Sequence, residues 1–122
     1  MLQVLESTIR HQVQFALDVL ETERQVAATC LRTGREAAER GDMSRAKRHY
    51  ALASTALRDI RRLGHTQAER LRVAAGRCGA RGDAEGALYL EQSANRLEQD
   101  AAELAETVAQ RHGGLPAHLL AS

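Results

Sequence analysis

The chain has 122 residues, 43% hydrophobic and 27% charged, with nine glycines, one proline and a formal net charge of +1. That length fits one domain, and that charged fraction belongs to an ordinary globular protein rather than a disordered one. No apolar run approaches the roughly 18 residues of a membrane span, and aromatics at 2% are too few for a β-sandwich core or for base stacking.

The opening MLQVLESTIR has no basic stretch ahead of a long apolar core, so it does not read as a secretory signal. It instead begins a helical pattern. Leu2, Leu5, Ile9, Val13, Ala16, Leu17, Leu20, Ala27, Leu31 and Ala38 recur at helical spacing without a proline, which predicts one helix over about 2–40. Gly41 can take the left-handed conformation of a helix stop, and Asp42 is a natural N-cap for the next helix.

The second element shows a tighter seam through Met43, Ala46, Tyr50, Ala53, Leu57 and Ile60, in alternating steps of three and four. Beyond Ile60 local signals conflict. Gly64 followed by Thr66 and Glu69 resembles a helix stop and a new capping box, which would make the fold a four-helix bundle. The seam nevertheless continues through Gly64, Ala68, Leu71, Ala75 and Cys78, and an interior glycine costs only about 1 kcal/mol. One helix over 43–80 is therefore the preferred reading.

Arg40-Gly41-Asp42 recurs 41 residues later as Arg81-Gly82-Asp83, and a third seam runs through Ala87, Leu90, Ala94, Leu97, Ala101, Leu104 and Val108. It predicts a helix over about 84–112, stopped by Gly113-Gly114. The expected architecture is all-α, three long antiparallel helices forming one domain over 1–114, with a short tail at 115–122 that Pro116 could start as one more turn. Alanine-rich seams let helices approach closely but bury little area each, which hints at association.

Gly34, Gly41, Asp42, Ala46, Tyr50 and Ala53 stand at the spacing of a tetratricopeptide repeat, which this stretch resembles. Ala75, Gly82, Asp83, Ala87 and Ala94 fit around the second turn, although Glu91 stands where the aromatic belongs. The copies are 41 residues apart, where the family uses about 34. Cys30 and Arg58 replace its tryptophan and late proline. The chain is similar to a microtubule-interacting-and-trafficking domain, a three-helix bundle, to the same degree. What both resemblances imply is a helical hairpin that binds a partner protein.

The first helix carries a second apolar stripe holding Val4, Thr8, Phe15, Val19, Val26, Cys30 and Ala37. Together the stripes cover about 220° of the helix, against the roughly 100° that a surface helix buries. Either the helix packs against two neighbours, or the excess meets another chain. The preferred expectation is contact with a protein partner or a second copy in a homodimer, through Val4, Phe15, Val19 and Val26.

Charge is uneven along the chain: −2 over residues 1–42, +8 over 43–81 and −5 over 82–122. The basic middle suggests phosphate binding as an alternative function, through Arg45, Arg48, Arg58 and Arg62 on a nucleic acid. The preferred expectation is that these cations lie beside the acidic third helix and pair with it.

Conventional chemistry is sparse. The five histidines show no metal-ligand spacing, and no nucleophile elbow, phosphate loop or dinucleotide fingerprint occurs. The expectation is a non-enzymatic adaptor, assembly factor or chaperone-like module with no cofactor and no metal. The Arg-Gly-Asp tripeptides read as turn chemistry rather than integrin ligands. Cys30 and Cys78 sit in apolar helical patterns, which suits a reducing, cytoplasmic setting. A continuous second helix would hold them about 39 Å apart.

Overall fold

The computed structural model describes the backbone of residues 2–116 and the side chains of residues 10–116. It is all-α: α1 (Leu2–Glu39), α2 (Met43–Ala80) and α3 (Ala84–Arg111), with no strand among the described residues. At 1.5 Å per residue, α1 and α2 are rods about 57 Å long. Of the predicted tail, residues 117–122 lie outside the described residues.

Both turns are built alike, and the repeated Arg-Gly-Asp explains why. Gly41 and Gly82 sit at φ +79° and +83°, a conformation that a side chain makes costly. The amide of Asp42 donates to the carbonyl of Ala37 at 2.9 Å, and that of Gly41 to Ala38 at 3.0 Å, closing the end of α1. Asp42 then turns its carboxylate forward to accept from the Arg45 amide at 3.2 Å, capping α2. At the second turn Asp83 donates to Cys78 and accepts from the Gly86 amide, each at 2.9 Å. The two aspartates are thus committed to starting helices.

α2 is the spine. α1 and α3 each lie along it, and they touch one another over a shorter stretch. The seam expected on α2 is the one that is buried: Ala46, Tyr50, Ala53, Leu57, Ile60, Gly64, Ala68, Leu71 and Ala75. Leu90, Ala94, Leu97, Ala101 and Val108 answer from α3, joined by Ala105. At the first hairpin Gly34 leaves room for the Tyr50 ring, whose carbons would stand 3.2 Å from any Cβ placed there. Met43 departs from the pattern, at 41% exposed, because it begins α2 beside the turn. Leu17 also departs, at 44% exposed. It lies about 70° around α1 from the Ala16–Leu20–Ala27–Leu31 line, at the edge of the buried face.

α2 runs through Gly64 without a break, so the four-helix alternative is not the fold. Tertiary packing overrides the local stop signals. At Gly64 α2 and α3 approach closely: a Cβ there would fall well inside van der Waals contact distance of Ala101 Cβ. Just beyond it, His65 Nδ1 and Glu98 Oε1 lie 2.6 Å apart, and Arg72 donates to Glu98 Oε2 at 2.6 Å and to Asn95 at 3.0 Å. These contacts brace α3 against the stretch where a break would fall.

The hydrogen bonds from His65 and then Arg72 hold the Glu98 carboxyl below its usual range. A carboxyl with a lowered folded value stabilises the fold above its unfolded value, and that contribution fades as pH falls through the folded one. Urea melts at descending pH should therefore show wild type losing more stability than Glu98→Gln below about pH 4.5. Equal losses in both proteins would mean that the cluster contributes nothing.

Candidate interaction site

α1 turns Ala16, Leu20, Ala27 and Leu31 inward and still has apolar surface left over. Phe15, the only phenylalanine in the chain, is 68% exposed, and Val26 is 43% exposed. Val19 between them is half-buried. The stripe expected from the sequence is thus open to solvent at its centre and closed at its C-terminal end, where Ala37 is buried and Cys30 half-buried. Burial pushes the Cys30 thiol above its usual range, which favours its protonated form. Val4 continues the same face in sequence, but its side chain lies outside the described residues.

Two residues not singled out from the sequence belong to this face. Thr22 and Thr33 fall on the Phe15–Val19–Val26 line, and their hydroxyls donate back to the helix, to the carbonyls of Asp18 at 3.1 Å and Thr29 at 2.8 Å. A threonine bonded this way has satisfied its donor within the helix and offers a methyl. The signal was available as threonines at helical spacing among valines. The face is therefore more apolar than its residue names suggest.

The chain matches none of the family models, curated proteins or solved structures with which it was compared. Its own surface must carry the functional reading.

The expected pairing of α2 cations with α3 acids is mostly absent. Among the described residues, only Arg72 and His65 of α2 reach an α3 acid, and both reach Glu98. Arg45, Arg48, Arg58 and Arg62 are exposed and outside every ion pair described. They do not converge on one patch. Arg58 and Arg62 are one helical turn apart with Asp59 between them, whereas Arg45 lies about 20 Å along the helix from Arg58.

A shallow groove of about 650 Å³ runs beside α2, floored by Val73, Ala74 and Cys78 and met by Gln12 of α1. Arg70, Arg77 and Arg81 line it too. Other large apolar residues, Leu52 and the adjacent Leu88 and Tyr89, are exposed elsewhere. No group of three or more His, Cys, Asp or Glu side chains among the described residues could hold a metal ion. No described helix is long and apolar enough to cross a membrane.

Proposed function

We propose that this chain is a non-enzymatic helix–helix interaction module, an adaptor or assembly factor, that binds through the outer face of α1. The observation that carries this reading is Phe15, at 68% the most exposed of the large apolar side chains described. Burying such a side chain stabilises by about 1.5–3 kcal/mol, and Val19, Val26 and the methyls of Thr22 and Thr33 extend the area along the helix. Val4 continues the face in sequence. The partner-binding hairpin implied by the tetratricopeptide resemblance agrees with this role, and two free cysteines suit a cytoplasmic setting.

The test is the double substitution Phe15→Glu with Val19→Glu, followed by light scattering and circular dichroism. The expected result is that wild type associates while the variant has the mass of one chain and keeps its helicity. A variant that associates as before would overturn the reading.

The exposed cations of α2 favour a second reading, binding to a nucleic acid. That binding would weaken by about one unit of log–log salt slope per phosphate neutralised. No gel shift with single- or double-stranded nucleic acid at low salt removes it. The acidic Asp59 and Glu69 interleaved on the same helix speak for the protein partner.

A further inference from the structure

If α1 docks a helix as proposed above, the flanks of its stripe decide which helix that is. Gln12, Phe15, Val19, Thr22, Val26, Thr29 and Thr33 succeed one another in alternating steps of three and four, the seam spacing of a coiled coil over three heptads. One flank, Ala16, Glu23 and Cys30, turns toward the protomer's own bundle: Ala16 is buried and the other two are half-buried. The other flank, His11, Asp18, Gln25, Arg32 and Glu39, is exposed throughout and takes part in no ion pair described.

We propose that the occupant is α1 of a second copy of this chain, running antiparallel, with the two-fold axis beside Gln25. In an antiparallel pair the outer flanks face each other, so residues whose numbers are symmetric about 25 meet. Asp18 then faces Arg32 of the second copy, His11 faces Glu39, and Gln25 faces itself. Symmetry repeats the first two contacts. Along the seam Phe15 packs on Thr33, Val19 on Thr29 and Val26 on Thr22. Each bulky group thus meets a smaller β-branched one.

Other arrangements lose this match. Sliding the copies by one heptad puts Asp18 opposite Glu39 in one direction, and opposite the uncharged Gln25 in the other, so either slide loses the Asp18–Arg32 pairs. A parallel pair brings Asp18 against Glu23 of the second copy, twice over. The antiparallel pair sets Glu23 against itself once, against two Asp18–Arg32 pairs and two His11–Glu39 contacts. Charge therefore fixes both orientation and register.

Asp18 and Arg32 are 14 residues apart on one straight helix, a separation of about 21 Å. They cannot compensate one another within a chain, so a charge swap reads contact between chains only. The test is sedimentation equilibrium at low salt on wild type, Asp18→Arg, Arg32→Asp and the double swap, with circular dichroism as the check on folding. Each single swap turns two attractive pairs repulsive and should weaken the dimer about tenfold, while the double swap returns to within about twofold of wild type. A dimer in which the two losses add instead overturns the antiparallel register and leaves the α1 face standing. Wild type that stays a single chain at every concentration overturns the face itself, and this pairing with it.

Discussion

Ile60→Ala is expected to cost the fold about 2–5 kcal/mol in urea unfolding, with an unchanged denaturant slope. Of the twenty buried apolar residues among those described, eleven are alanine, so cohesion rests on few large groups. Leu31 and Ile60 are the largest of the described side chains enclosed completely. Counting from the two turns, Ile60 sits at a level where α1 and α3 both run beside α2. Three rods surround the cavity that truncation would leave, and rods this long cannot close on it by moving one residue. Small domains have only about 5–15 kcal/mol of stability in total, so the substitution should remove a large share. Ile60→Val is the control, at about 0.5–1.5 kcal/mol. If α1 pairs with a second copy, stability depends on protein concentration, and the comparison is made at one concentration. A loss below about 1 kcal/mol for Ile60→Ala would show a slack core rather than a packed one.

The parts of this fold that were legible in the sequence are those governed by short-range rules. The turns arise from glycine at a left-handed position and aspartate as a cap, and the α2 seam from spacing alone. What was not legible depended on which way a helix turns its polar face. The basic segment and the acidic third helix are neighbours in space, which invited the expectation of paired charge. Yet Arg48 and Arg62 lie about 160° around α2 from its buried line and point away from α3. Only Arg72 and His65, nearer the edge of the contact, reach Glu98. At the candidate site the stripe was visible as valines and a phenylalanine at helical spacing. Spacing also placed Thr22 and Thr33 on it, but not their apolar character, because a threonine becomes apolar only once its hydroxyl is bonded back to the helix. The end of the stripe at Ala37 was likewise set by a neighbour across the hairpin, which periodicity does not contain.

Gly64 shows how far tertiary packing can reverse a local preference, and it allows a test in which two chemically identical changes have opposite outcomes. Replacing a glycine inside a helix with alanine ordinarily stabilises by about 1 kcal/mol. At Gly76, where a Cβ would meet nothing within 4 Å, that gain should appear in full. At Gly64 the same methyl would collide with Ala101 Cβ, with the Leu97 carbonyl oxygen 3.6 Å away, and α3 would have to shift bodily. Overpacking of this kind costs about 1–3 kcal/mol, so Gly64→Ala should leave the protein less stable while Gly76→Ala leaves it more stable. The partner identifies itself through the second substitution. Ala101→Gly on its own weakens α3 by losing helix propensity, but combined with Gly64→Ala it reopens the space and restores part of the loss. The coupling between the two positions should fall in the range of about 0.5–3 kcal/mol that contacting residues show. Thermal melts of the four proteins decide it. Stabilisation by alanine at both glycines, with no coupling to Ala101, would mean that α2 and α3 do not approach closely at Gly64, and that the continuous α2 owes its course there to something other than this contact.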